Sequence, residues 1–239
     1  IIPDHSKMKY SDFTRNTTNP IKRLAHGPRL EQASKILDLN EDMQILDYGC
    51  GDGGFFEELV KYTRAHNLYG YDPYLLSEMT FEGATTFDNA NELISKHSEF
   101  FDIIYCMEVC EHLSLERIHE VFANIRKVAK PNAKIVFGVP LETGLSGFFK
   151  NLFRISQGGT QGATIGRAIK SLWSIPIPRA TDPLGWIGSH VGFDAHAFSE
   201  LFKYGGYIIS SKNHYLPFGL LGRSLNNEVY FICELKGKP

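Results

Sequence analysis

Residues 45–54 read ILDYGCGDGG, and this stretch decides the fold. The short apolar run 43–48 ends in a cluster of glycines, and Phe56, Leu59 and Val60 follow at helical spacing. The order strand, glycine turn, helix is typical of the first unit of a parallel α/β sheet. Glycines let the backbone approach a ligand closely, and the free N–H groups at the start of a helix favour an anion.

The rest of the chain mostly alternates strands with helices, which predicts right-handed βαβ units and an α/β fold with helices on both faces of a mostly parallel sheet. We expect one domain over residues 1–239, with an N-terminal arm over 1–27. The alternation of predicted strands and helices stops at residues 141–193, which we interpret as a lid inserted after the fifth strand. The predicted later strands are 68–71, 84–87, 101–107, 134–139, 207–216 and 228–235, the last two as a hairpin-like pair.

The composition is that of an ordinary globular protein and excludes several classes. The 239 residues are 43% hydrophobic and carry a formal net charge of −2, so no global basic field attracts nucleic acid. The four cysteines form no CxxC pair, which argues against a disulfide framework or a zinc ribbon. No apolar run reaches membrane-spanning length. We expect a cytoplasmic protein.

The glycine turn fits two kinds of cofactor, and a neighbouring acid discriminates between them. Gly49, Gly51 and Gly54 satisfy the dinucleotide pattern GxGxxG, although a tight turn with no ligand would also use such glycines. Asp47 would repel a pyrophosphate lying on the turn and attract a cationic cofactor. S-adenosylmethionine fits, because its carboxylate can bind the turn and its ammonium group can face Asp47. A nicotinamide-dependent oxidoreductase is the disfavoured alternative.

Two later acids follow the next two predicted strands. Asp72 lies 21 residues after Gly51 and can accept both ribose hydroxyls, or it can be a solvated turn residue. Asp88 can accept the adenine amino group, or it can cap the helix that starts near Ala90.

Four motifs in order resemble those of class I S-adenosylmethionine-dependent methyltransferases, of the methyltransferase-11/23 type. They are residues 45–53, 69–72, 101–109 and 131–136. The resemblance implies a Rossmann-like seven-stranded sheet whose last strand is antiparallel. It places the methionine part of the cofactor on Gly49 and Gly51, the ribose on Asp72 and the adenine on Asp88. The predicted cofactor site also includes Asp47, Cys50, Pro73, Asn89 and Met107.

The stretch 106–112 is similar to the corresponding stretch of the O-methyltransferases of ubiquinone biosynthesis. That resemblance implies a divalent cation such as Mg²⁺ near the acceptor, held by Glu108, Glu111 and His112. A metal there would lower the pKa of an acceptor hydroxyl. In the alternative interpretation Glu111 and His112 line the pocket without a metal, where they remain candidate catalytic residues.

A second histidine is a candidate base for the acceptor. His190-x-x-Phe193 resembles an element of methyltransferases that act on glycans, lipids and related metabolites. A histidine at a pocket mouth can remove a proton near neutral pH, or it can be a hydrogen-bonded structural residue. We expect His112 and His190 to share one pocket.

Residues 143–181 contain no acid and five cations, a formal charge of +5, interleaved with aromatic and aliphatic residues. This composition favours an anionic, partly apolar partner such as a phosphorylated or lipid-linked substrate at a membrane surface. An ordinary substrate lid is the alternative interpretation.

The sequence as a whole predicts O-methylation of a small-molecule, lipid-linked or glycan acceptor, with possible peripheral membrane contact. A non-catalytic cofactor-binding module is a further alternative. The sequence does not indicate the oligomeric state.

Overall fold

The computed structural model describes residues 29–75, 81–211, 214–216, 219–222 and 224–237. The predicted N-terminal arm, 1–27, lies outside the described residues. The chain forms one mixed sheet with helices on both faces, as the sequence predicts. Its strands are β1 (Ile45–Tyr48), β2 (Leu68–Tyr71), β3 (Thr85–Phe87), β4 (Phe101–Met107), β5 (Ala129–Pro140), β6 (Tyr207–Ile209), β7 (His214–Leu216) and β8 (Glu228–Leu235).

The strand order is β3-β2-β1-β4-β5-β8-β6, and β7 also pairs with β8. Strands β1 to β5 are parallel, and β8 is antiparallel to β5, β6 and β7. Because β6 and β7 pair with opposite ends of β8, they share one edge and the sheet has seven strand positions. The predicted antiparallel last strand is confirmed.

The helices cover both faces of this sheet. Residues 29–34 form α1, whose start lies outside the described part of the chain. The others are α2 (Phe56–Leu59), α3 (Ala90–Lys96), α4 (Leu115–Val128), α5 (Gly144–Ser156), α6 (Ile165–Leu172) and α7 (Ala195–Gly205).

Alternation along the strands divides the core into two layers. On β4, Ile103 and Tyr105 pack with α1 and α2 on one face, whereas Ile104 and Cys106 pack with α3, α4 and α7 on the other. The parallel strands therefore bury both faces, and their carboxyl ends meet along one edge, where ligands bind in sheets of this kind.

The segment after β5 differs from the rest of the fold. Helices α5 and α6 lie within the predicted insertion, and α7 begins after it. Asp194 caps α7 by accepting from the amide of His196 at 2.8 Å. No helix in the described parts of the chain combines the length and the apolar character needed to cross a bilayer.

Candidate active site

The turn after β1 holds its glycines in left-handed backbone conformations. Gly49 has a φ of +94° and Gly51 a φ of +52°. A Cβ atom at Gly49 would lie 2.2 Å from Cγ2 of Val109, so a larger side chain does not fit. A Cβ atom at Gly51 would meet nothing within 4 Å, so the space beside this residue is open. The amides of Gly49 and Cys50 donate to the carbonyl of Tyr71, at 2.6 and 3.1 Å, and tie the turn to β2.

A buried carboxylate lies just before this turn. Asp47 is only 3% exposed. Burial raises the pKa of Asp47 to about 8, and repulsion from the Asp72 and Asp52 carboxylates adds to the rise. Among the described residues none donates a hydrogen bond to the Asp47 side chain or pairs with it. Since a buried carboxylate is stabilised by a cation, these residues fit a ligand with an ammonium group.

A second carboxylate closes the turn from β2. Asp72 accepts hydrogen bonds from the amides of Gly51 at 3.1 Å and Tyr74 at 2.8 Å. Burial raises the pKa of Asp72, although these hydrogen bonds oppose the rise. Cys50 is buried in the turn, and Pro73 is exposed beside Asp72. Asp72 therefore borders the open space at Gly51, and the Asp47 carboxylate lies near enough to be repelled by it.

The residues after β3 lie at the same edge of the sheet. Asp88 and Asn89 are both exposed. The side-chain oxygen of Asn89 accepts from the amides of Asn91 at 2.9 Å and Glu92 at 3.3 Å, so Asn89 caps α3. The alternative that Asp88 caps this helix is wrong, and the cap does not use its carboxylate.

Beyond β4 the predicted metal residues separate. Met107 is buried at the end of the strand, and Glu108 adopts a φ of +55°. The Glu108 carboxylate forms an ion pair with Arg29 of α1. This salt bridge neutralises Glu108, and its carboxylate lies outside the group of side chains that the structure brings together around His112.

That group is centred on two histidines from distant parts of the sequence. Nε2 of His190 lies 2.9 Å from Nε2 of His112. The His112 ring stacks on Trp186, with centroids 4.5 Å apart and an interplanar angle of 7°. Burial and the neighbouring His112 lower the pKa of His190 to about 3, and burial lowers the pKa of His112. Both imidazoles are therefore neutral at pH 7.

A backbone contact assigns the tautomers of this pair. Nδ1 of His112 lies 2.8 Å from the carbonyl oxygen of Ile187, so Nδ1 carries the proton and donates. Nε2 of His112 is then an acceptor, and His190 donates from its Nε2. The remaining lone pair, on Nδ1 of His190, has no hydrogen-bond partner among the described residues. The arrangement therefore offers one free basic nitrogen, oriented by His112.

Glu111 lies beside the histidines and is fully buried. Neither of its carboxylate oxygens has a hydrogen-bond partner within the described ranges. Burial raises the pKa of Glu111 to about 8, with repulsion from Glu228 in the same direction. One ligand atom each from Glu111, His112 and His190 lies within 4.8 Å of the others. The donor set fits a divalent cation through Glu111, His112 and His190, with the Nδ1–H of His112 held by a backbone carbonyl as is usual for metal-bound histidine.

Sequence reasoning missed a third buried acid. Glu142, two residues after β5, is 1% exposed and pairs with Arg154 at 2.6 Å and Lys150 at 3.3 Å. Although burial acts to raise it, these two cations lower the pKa of Glu142 to about 2. The available signal was its position, because an acid that follows β5 lies at the same edge as the turn and precedes a stretch without acids.

These ion pairs revise the expected charge of the insertion. Lys150 and Arg154 share the Glu142 carboxylate, and Arg179 donates to the backbone carbonyls of Glu111 and Ser189. Three of the five cations thus stabilise the fold around the site.

Comparisons with known proteins agree with this geometry. A family model described as a methyltransferase domain matches residues 21–203. Ubiquinone biosynthesis O-methyltransferase of Coxiella burnetii is 28% identical over 152 residues, which cover 57% of this chain and 62% of that protein. Sterol 24-C-methyltransferase of Debaryomyces hansenii is 28% identical over 140 residues, which cover 53% of this chain and 35% of that protein. The chain spans less than two thirds of the length of these relatives.

A solved structure shares the fold. The 1,6-didemethyltoxoflavin-N1-methyltransferase of Burkholderia thailandensis, with bound 1,6-didemethyltoxoflavin and S-adenosylhomocysteine, has a TM-score of 0.56 at 13% identity. The match covers 87% of this chain and 78% of that one. The family model covers more than half of the chain, so the chain belongs to the methyltransferase-domain family.

The raised pKa of Asp47 makes cofactor affinity depend on pH. Below about pH 8 the free protein holds a proton on Asp47, and an ammonium group beside the carboxylate favours its loss. We therefore expect the Kd for S-adenosylhomocysteine to fall by up to about tenfold per pH unit from pH 6 to pH 8 and then to level off. Titration calorimetry in buffers of different ionisation enthalpy measures both the Kd and the released proton.

The control is Asp47→Asn, which removes the titrating group. It should bind S-adenosylhomocysteine more weakly at pH 8, and its affinity should no longer rise with pH. Because Glu111 also has a pKa of about 8, a pH dependence that persists in Asp47→Asn would contradict the assignment to Asp47.

Proposed function

We propose that this methyltransferase methylates a hydroxyl oxygen of a small-molecule, lipid-linked or glycan acceptor. The observation that carries the proposal is the neutral His112–His190 pair, which leaves one unprotonated nitrogen with no protein partner among the described residues. A hydroxyl group needs a proton acceptor as its oxygen gains a methyl group, whereas methylation of a neutral amine depends less on a proton acceptor. Relatives named as acting on oxygen, carbon and nitrogen leave the acceptor atom open.

The cofactor half of the site is proposed from the turn and its carboxylates. S-adenosylmethionine supplies an activated methyl group on its sulfonium. The methionine part of the cofactor lies against Gly49 and Gly51 of the turn, Asp47 faces its ammonium group and Asp72 accepts its ribose hydroxyls. Asp88 accepts from the adenine. The surrounding residues of the proposed site are Gly49, Cys50, Gly51, Pro73, Asn89 and Met107.

The acceptor half is proposed from the two histidines and the acid behind them. Nδ1 of His190 takes the hydroxyl proton, and Nε2 of His112 accepts the hydrogen bond that orients the protonated ring. With a pKa of about 3, His190 is a weak base. A weak base is sufficient because the O–H group of the acceptor becomes strongly acidic as the new O–CH₃ bond forms. Charge from Glu142 also favours the protonated form.

A cation-assisted reaction is the second candidate, carried by the buried Glu111 carboxylate with no hydrogen-bond donor among the described residues. The cation would be held by Glu111, His112 and His190. His190 thus replaces Glu108 in the set of ligands predicted from the sequence. The nitrogen-rich donor set favours Zn²⁺ over Mg²⁺. Prolonged dialysis against a chelator separates the candidates, because the base mechanism predicts unchanged turnover and the cation mechanism predicts a loss restored by one metal.

A labelled-methyl assay tests the proposed reaction. The protein is incubated with methyl-labelled S-adenosylmethionine and panels of phenols, lipid-linked alcohols, free sugars and amines, and label is counted in organic and aqueous phases. We expect transfer to a hydroxyl acceptor. Transfer confined to nitrogen or carbon acceptors would overturn O-methylation, and cofactor binding without transfer to any panel would indicate a binding module.

A further inference from the structure

Helices α5 and α6 pack against each other through small and polar side chains. The amide nitrogen of Asn151 donates to Oγ of Ser171 at 3.0 Å, joining the two helices. Every side chain that these helices bury is small or polar; the buried residues are Ser146, Gly147 and Asn151 of α5, and Ala168 and Ser171 of α6. The pair therefore has little apolar core of its own.

Many apolar side chains of α5, of α6 and of the residues just after α6 are exposed, whereas Phe148, Phe153, Ile155 and Leu172 are half-buried. Trp173 is 72% exposed, Ile165 67% and Phe149 53%. The exposed set also includes Leu145, Leu152, Ile169 and Ile175. On α5, positions 145, 149 and 152 form one stripe at helical spacing. An amphipathic helix on a globular protein normally turns such a stripe toward the core, so this arrangement is inverted.

A buried ion pair fixes the inversion. Glu142 binds Lys150 and Arg154, which lie on the side of α5 opposite the apolar stripe. Lys150 also donates to the backbone carbonyl of Asn227 at 2.8 Å. Rotating α5 to bury Phe149 would leave the Glu142 carboxylate buried without a counter-ion, which is costly. The apolar stripe is therefore held at the surface.

Two cations of α6 form no ion pair within the described part of the chain. Lys170 is exposed, and Arg167 is half-buried with its guanidinium donating to the carbonyl oxygen of Gly162. No acidic residue occurs between Thr143 and Thr181. Aromatic and aliphatic side chains beside unpaired cations are the combination that binds the interface of an anionic bilayer.

We propose that α5 and α6 form a membrane-docking surface whose apolar side chains enter the interface of an anionic lipid bilayer while Arg167 and Lys170 contact the lipid headgroups. The inference goes beyond the proposed O-methylation and does not depend on the acceptor. It commits to lipid and not to a protein partner, because the face combines positive charge with scattered aromatic side chains and has no acidic residue that would pair with a basic partner.

Sedimentation with vesicles tests the surface in the intact chain. One set of vesicles is phosphatidylcholine alone, and the other contains equal parts of phosphatidylcholine and phosphatidylglycerol. We expect the parent protein to partition at least about tenfold more strongly onto the anionic vesicles. Phe149→Ser with Trp173→Ser should reduce that partition at least about tenfold, and Arg167→Gln with Lys170→Gln should remove the preference for anionic lipid.

The matched control is Tyr204→Ser, which removes an 82% exposed aromatic ring from α7 and should leave partition unchanged. Tryptophan fluorescence gives a second readout, since the chain has two tryptophans and a blue shift on vesicles should vanish in Trp173→Phe. The proposal is overturned if the parent protein binds neither kind of vesicle. It is also overturned if the parent and the Phe149→Ser/Trp173→Ser variant partition equally. Either result would instead favour a protein partner for this face. S-adenosylhomocysteine titration of each variant keeps this result separate from the proposed enzymatic function.

Discussion

Gly51→Leu is expected to weaken S-adenosylhomocysteine binding at least a hundredfold. The new side chain meets no protein atom near its Cβ and instead enters the open space beside the turn, where the cofactor must lie. Calorimetric titration measures the loss, and thermal unfolding checks that the variant folds.

The backbone cost of this substitution has a close control. Gly222 has a φ of +51°, against +52° at Gly51, and a Cβ there also meets nothing within 4 Å. Gly222→Leu should therefore carry the same strain, about 1–2 kcal/mol, while binding the cofactor like the parent. If Gly51→Leu binds S-adenosylhomocysteine within threefold of the Gly222→Leu variant, the cofactor does not lie across the glycine turn.

Removal of the proposed base should be the second large effect. His190→Ala is expected to lower kcat by about 10²–10⁴ on a hydroxyl acceptor found with the labelled-methyl assay, because the nitrogen positioned to take the hydroxyl proton is removed. The Kd for S-adenosylhomocysteine should not change, since His190 lies on the acceptor side. His112→Ala should also lower kcat, because the His190 ring loses the hydrogen bond at Nε2.

The two histidines act as one unit in this mechanism, and the double variant tests it. Its kcat should be no lower than that of the worse single variant, since the second substitution removes a partner already lost. The exposed His196 provides a control, and His196→Ala should keep parental kcat. Because both functional imidazoles have lowered pKa values, kcat of the parent should show no fall centred near pH 6.5. Parental kcat in His190→Ala would refute the base assignment.

Local sequence predicts the conformation of the glycine turn and the positions of the two acids beside it. Gly49 and Gly51 adopt positive φ angles in the same short turn, so their spacing in the sequence is enough to predict the glycine turn. Asp47 and Asp72 end neighbouring parallel strands, paired in register from Ile45 and Leu68, and the carboxyl ends of such strands meet at one edge. Strand order therefore brings these acids together without any detail of side-chain packing.

The acceptor half depends on contacts between distant residues. His112 and His190 lie 78 residues apart, and the sequence predicts a shared pocket but not their direct Nε2–Nε2 contact. Nor does it indicate that Glu108 pairs with Arg29, which removes Glu108 from the group around His112. Such pairings depend on where helices and loops cross, and residue spacing does not report that.

The sequence by itself determined the α/β sheet, the glycine turn and the methyltransferase class, because these follow from periodicity and from motifs within a few residues. Only the tertiary structure decided which charges remain available. It used Lys150, Arg154 and Arg179 inside the fold and left Lys170 exposed, a division that composition does not show. It also decided which side of α5 faces outward, because the buried Glu142 carboxylate requires its two cations and therefore turns the apolar stripe toward the surface.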